Sequence, residues 1–382
     1  MEFQLSDKAK DYIARTKAFI ETEIEPIEAE FWQAAHKLNP TGDWTTWQWP
    51  AKLEELKTKA RAQNLWNMFL PDEKLGQGLS VQEYAHIAEL SGRSLIAPHV
   101  FNCNAPDSGN MELIWRYGND AQKAQWLTPL LAGEIRSVFG MTEPAVASSD
   151  ATNMQATAIV EGDEIVLNGR KWWSSGLGDP NAKLIIFMAH TPDENKDRHH
   201  QHTMVLVPID AKGVKIERML KVFNDYDAPH GHGEMRFDNV RVPLSNVIGG
   251  AGEGFAIAQG RLGPGRIHHC MRCIGAAEKS LELAIDRGLS RSAFGKPLLD
   301  LGGNRERIAD ARVKIDQARL LTLYAAYKMD TLGNMAALTE ISAIKVVAPS
   351  VLEKVVDMAM QIHGGAGLSR DTPLTGFFAQ AR

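Results

Sequence analysis

The chain has 382 residues, of which 44% are apolar and 23% charged; that is the balance of an ordinary folded protein, long enough for roughly two or three domains around a large cofactor. Its 42 Lys and Arg against 47 Asp and Glu leave a net charge of −5, which gives no global footprint for nucleic acid or an anionic membrane. The longest strongly apolar run, 184–189, is too short to span a bilayer, the N-terminus opens without an apolar signal core, and three cysteines build no disulfide scaffold, so the cytoplasm is the expected location.

Apolar residues at Leu5, Ile13, Ile20, Ile24 and Ile27 keep a helical spacing, and similar stretches follow over 47–62, 81–91 and 105–117. Residues 1–135 therefore read as an N-terminal α-helical domain. From Arg136 the pattern changes to short β-favouring runs at 136–142, 154–160, 164–167, 170–174, 184–189, 204–208 and 234–237. Gly162-Asp163 and Asn168-Gly169 separate some of them as tight hairpin turns, so 136–245 is expected to be an antiparallel β domain. Beyond it the helical period returns, on one face through Ile308, Ala311, Ile315, Ala318, Thr322 and Ala325 and on another through Ile341, Ile344, Ala348, Val351, Val355, Ala359 and Ile362. Residues 246–382 read as a C-terminal helix bundle, and the whole as α+β.

No GxxxxGK[ST] loop occurs, and Gly263-Pro264-Gly265 reads as the opening of a helix without completing a dinucleotide fingerprint. His199, His200 and His202 sit in a polar stretch without partner ligands at zinc-type spacing, so no metal is assigned. Cys270 and Cys273 lie one turn apart on a predicted helix and read as packing residues.

Two segments carry chemistry: Phe139-Gly-Met-Thr-Glu-Pro-Ala-Val-Ala-Ser-Ser-Asp150 and Lys171-Trp-Trp-Ser-Ser-Gly176. They combine hydroxyl donors with flat apolar side chains, residue types that suit a flat ring with hydrogen-bonding edges. Alone, a Trp pair in a strand is usually packing and Thr-Glu-Pro a common turn. With Arg291-Ser-Ala-Phe-Gly295 and Gln361-Ile-His-Gly-Gly-Ala-Gly367 in the same order, they resemble the acyl-CoA dehydrogenase family over almost the whole chain. Together with Gly260-Arg-Leu-Gly-Pro-Gly-Arg-Ile-His-His-Cys-Met-Arg272, the wording is similar to the dehydrogenase domain of the tenth and eleventh animal members, which carry a further kinase-like domain.

The resemblance implies FAD as cofactor. Met141 and Thr142 would meet the pyrimidine edge of the flavin, Trp173 would pack beside the ring, Ser175 would donate near N5, and Ser148 or Ser149 would reach phosphate. Arg291 and Phe294 match positions that serve the FAD of a neighbouring subunit, and Gln361, Gly364 and Gly365 the adenosine side, which implies a homodimer or homotetramer. Arg266 matches a position near substrate. The implied reaction is α,β-desaturation of a medium, long or branched acyl-CoA to a trans-2-enoyl-CoA, with electrons leaving to an electron-transferring flavoprotein. An acyl-CoA oxidase, or a silent FAD or acyl-CoA binding protein, is the alternative. Gly263 and Gly265 suggest room near the thioester. Gly265 excludes a base at that helix position, Glu143 belongs to the turn motif and Asp371 precedes the final segment, so the carboxylate base is expected beyond Arg382.

Overall fold

The computed structural model describes residues 4–382. They divide into two compact units: Gln33–Ala51 with Asn104–Leu262, and the rest, up to Trp32 with Lys52–Cys103 and Gly263–Arg382.

The second of these is helical. Its helices start where polar caps take up orphaned N–H groups: Ser6 accepts from Ala9 N at the head of Asp7–Phe19, and Ser80 with Glu83 forms a reciprocal capping box at Val81–Gly92. In Asn304–Leu332 the buried stripe includes Ala311, Ile315, Ala318, Thr322 and Ala325, and in Leu338–His363 it includes Ile341, Ile344, Ala348, Val351, Val355, Ala359 and Ile362, as the spacing predicted. Gly263-Pro264-Gly265 does not open a helix: Gly254–Ser290 is one helix with Pro264 inside it. The reason for Gly263 is packing, since a Cβ there would lie 1.9 Å from Asn334 Oδ1. Gly265 has nothing within 4 Å of the same construction. Cys270 is buried, and burial pushes its thiol up to about 12, so it is an inert packing residue. Among the described residues no helix is long and apolar enough to cross a membrane.

The first unit is built on a seven-stranded sheet: β1 (Arg136–Gly140), β2 (Thr157–Glu161), β3 (Glu164–Ser175), β4 (Ala182–His190), β5 (His202–Pro208), β6 (Val214–Leu220) and β7 (His232–Pro243). The order is β1-β4-β2-β3-β7-β6, with β5 also on β4. Most pairs are antiparallel, but β1 runs parallel to β4, and β2 meets β4 in parallel at Thr157 and His190. The whole β2–β3 hairpin lies between β1 and β4 in the chain, long enough for the crossover that parallel neighbours require. Val138, Leu167, Ile185, Phe187, Val205, Met235 and Phe237 bury the inner face, where the Phe187 and Phe237 rings lie 4.1 Å apart.

Gly162-Asp163 is the β2–β3 turn, with Gly162 at φ +63°. Asn168-Gly169 is not a turn. The runs 164–167 and 170–174 are one strand, and the pairing of β3 with β7 slips register between Leu167 and Gly169. Gly169 sits at φ +144°, where a Cβ would come within 2.4 Å of Ala156 Cβ, so glycine permits a bulge that keeps the strand going.

Candidate flavin site

A second slip between Lys171 and Ser174 shapes the end of β3. At its centre Trp173 takes φ +51°, a conformation costly for a large side chain, and its indole stands out from the sheet with 42% of the residue exposed. The Trp172 and His232 rings each lie 6.2 Å from it.

The loop that follows β1 is fastened to this bulge from beneath. Trp172 N donates to Thr142 O at 3.0 Å, and Lys171 Nζ donates to Met141 O at 2.9 Å and to Glu143 Oε1 at 2.7 Å. Lys171 has a fully buried side chain, and Glu143 also accepts from Gln155 N at 2.8 Å and Ala156 N at 3.0 Å. Burial lowers Lys171 to about 8, with Glu143 pulling the other way. Ser148 Oγ accepts from Glu143 N at 2.9 Å, which closes the loop on itself, while Ser149 is exposed. Met141, Val146, Ser148, Asp150, Ala151 and Met154 line a recess in the loop.

Met141, Thr142, Ser148, Trp173 and Ser175 therefore gather in the sheet unit on one fixed edge. The residue types suit a flat, amide-bearing ring: a projecting indole, the Thr142 and Ser175 hydroxyls, and two buried donors, Trp172 Nε1 and Ser174 Oγ, that find no partner among the described residues. The helical unit holds the other predicted residues. Arg291 and Phe294 lie at a two-stranded hairpin, Ser292–Ala293 with Lys296–Pro297, where Phe294 takes φ +53° and is 95% exposed. Gln361, Gly364 and Gly365 are exposed at the end of Leu338–His363. Gly364 holds φ 63° and ψ −137°, open only to glycine, and a Cβ on either glycine would meet nothing within 4 Å. Arg266 is half-buried on Gly254–Ser290. The volume that sequence assigned to Gly263 is occupied by Asn334, so only Gly265 leaves open space.

Sequence reasoning missed the buried Lys171–Glu143 pair and His232, whose Nδ1 lies 2.9 Å from Ser175 Oγ. The polar stretch containing His199 and His200 forms a short turn in which Asp197 accepts from His199 N at 2.8 Å and meets His200 Nδ1 at 2.7 Å.

Comparison with known proteins agrees with the motifs. Models of the acyl-CoA dehydrogenase N-terminal, middle and C-terminal domains match residues 6–134, 138–240 and 252–382. The chain is 50% identical over 99% of its length to mouse acyl-CoA dehydrogenase family member 10, but spans only 35% of that protein. It is 49% identical over its whole length to a Mycobacterium tuberculosis protein described as "Probable acyl-CoA dehydrogenase FadE2", covering 92% of it. A solved chain from Mycobacterium abscessus superposes with a TM-score of 0.96 at 57% identity, over 99% of this chain and 94% of that one. The chain belongs to the acyl-CoA dehydrogenase family, whose members are FAD-dependent oxidoreductases.

Proposed function

We propose that the chain desaturates an acyl-CoA thioester between its α and β carbons, with FAD as the hydride acceptor. The observation that carries this reading is the fixed edge formed by Thr142, Trp173 and Ser175, held from beneath by the Lys171–Glu143 pair. In this reading Met141 and Thr142 face the pyrimidine end of the ring, the Trp173 indole walls it, and Ser175 serves the N5 region. Ser148 is spent on closing its own loop, which leaves exposed Ser149 to reach phosphate. Arg266 serves the substrate. The α-proton passes to a carboxylate, and Glu143 is excluded from that role because Lys171, Gln155 N and Ala156 N occupy its oxygens in a buried setting. Electrons leave to an electron-transferring flavoprotein.

The exposed Phe294 ring beside Arg291 supports a cofactor shared between subunits of a homodimer or homotetramer, with Gln361, Gly364 and Gly365 at the adenosine side. A guanidinium suits a pyrophosphate through its fork of donors. Arg291→Ala should lose FAD and weaken association together. Sedimentation with simultaneous flavin absorbance checks this, and a flavin-loaded monomer of the unaltered protein would contradict it.

Open space at Gly265 favours a medium, long or branched acyl group over a short straight one. An acyl-CoA panel scored by anaerobic bleaching of the bound flavin tests reaction and preference at once. Reduction by a long or 2-methyl-branched thioester, with slow reoxidation in air, supports the reading. Butyryl-CoA as the best substrate would remove the size preference, fast reoxidation would favour an oxidase, and no reduction by any thioester would overturn the desaturase.

A further inference from the structure

The Ser175 hydroxyl does not stand alone. His232 Nδ1 lies 2.9 Å from Ser175 Oγ, and His232 Nε2 lies 3.3 Å from Asp227 Oδ2 on its far side. The loop bringing Asp227 to this point holds an unusual conformation: Phe223, Asn224 and Asp227 take φ of 47°, 67° and 54°, and Gly231 takes 68°. Such strain persists only where surroundings enforce it. Here Gly176 N donates to Gly231 O, Gly178 N to His230 O and Gly231 N to Asp227 O, while the Trp47 ring packs so closely that a Cβ on Gly178 or Gly231 would come within 2.4 or 2.8 Å of it.

We propose that His232, oriented by Asp227, is a positioning residue that decides whether the Ser175 hydroxyl donates to the flavin. This rests on the reading of Ser175 as a flavin contact. A hydroxyl has one proton to give. When His232 is neutral with its proton on Nε2 toward Asp227, Nδ1 is a bare acceptor, so Ser175 spends its proton on His232 and presents only lone pairs elsewhere. When His232 is an imidazolium, both nitrogens donate, one to Asp227 and one to Ser175 Oγ. The Ser175 proton is then free for an acceptor on its exposed side, and oxidised flavin N5 is such an acceptor.

The groups facing His232 suit a switch of this kind. Asp227 and His230 approach from the preceding loop and Ser175 and Trp173 from β3, while Leu220 of β6 lies opposite on the ladder without a charge. Glu234, two residues along β7, is held by Arg170 and Arg218 and does not compete for the imidazole. Desolvation works against the Asp227 carboxylate, but about half of that side chain is exposed, and its bond to His232 holds it below the ordinary carboxylate value. Burial lowers His230, with Asp227 pulling the other way.

The experiment is a pH titration of the visible absorption of the FAD-loaded protein without substrate. Unaltered protein should show a one-proton change in the flavin band as the pH is varied. Ser175→Ala and His232→Gln should each abolish it with FAD still bound, and Asp227→Asn should move its midpoint to lower pH, because the imidazolium loses its anion. A flat spectrum for FAD-loaded unaltered protein, or an unchanged transition in His232→Gln, would overturn the relay and leave the flavin reading intact. A protein that takes up no FAD would overturn both. If Ser175→Ala keeps the transition while His232→Gln loses it, the imidazole acts on the flavin directly and the relay through Ser175 is wrong.

Discussion

Lys171→Met should lower stability by about 3–5 kcal/mol and empty the protein of FAD, because it leaves the buried Glu143 carboxylate and Met141 O without the Nζ donor that Lys171 supplies whether charged or neutral. Methionine fills nearly the same volume as the lysine stem, so loss of packing against Phe187 does not explain the effect. What fails is the underside of the site: Lys171 Nζ joins Met141 O to Glu143, and Glu143 in turn fixes the backbone at 155–156. The double variant Lys171→Met, Glu143→Gln should recover a large part of the lost stability, since a neutral amide still accepts one of those backbone bonds and no charge is buried. Urea unfolding of the two single variants and the double, with flavin content read on the same samples, measures this. Additive losses would show that the pair is not a unit. The pH dependence has a definite sign. Folding lowers Lys171 from 10.5 to about 8, so between those values the unfolded chain binds the extra proton. Relative to the double variant, unaltered protein should therefore gain stability as pH rises through that window and bear the full cost of the buried cation below it.

That pair shows where sequence reasoning stopped. The helices were legible because burial on one face repeats every 3.6 residues, and the spacing from Ile341 to Ile362 turned out to be the buried stripe of one helix. The flavin-contact candidates came from the resemblance of two short motifs, and the fold does bring those motifs side by side, with Trp172 N donating to Thr142 O. Lys171 and Glu143 lie 28 residues apart, and nothing in either segment says that a lysine in a strand points inward at a particular glutamate. His232 was invisible for a related reason. Asp-Ala-Pro-His-Gly-His reads as an ordinary polar loop until the pairing of β3 with β7 sets Ser175 opposite His232. Asn168-Gly169 misled in the other direction, because a residue pair that tolerates positive φ serves a bulge as well as a turn, and only the contact with Ala156 distinguishes them.

Trp173→Ala and Trp173→Gly should lose FAD to a similar degree and differ in stability, with glycine the more stable of the two. Both remove the indole that walls the ring in the proposed site, so affinity should fall roughly ten- to a hundredfold, the scale of one aromatic stacking partner and its buried area. Only glycine relieves the backbone. Trp173 holds φ +51°, where any side chain pays about 1–2 kcal/mol against its own carbonyl and glycine pays none. Elsewhere in a strand the order would be reversed, because glycine loses more entropy on folding than alanine does. The comparison needs apo-protein unfolded in urea and FAD titrated by fluorescence quenching. Alanine as stable as glycine would mean that the bulge relaxes without the ring, so the ring itself holds the strain. Glycine more stable with both variants equally poor in FAD would mean that the rest of the sheet holds it. In the second case the bulge is set before the cofactor arrives, and the projecting indole is paid for by the fold in advance.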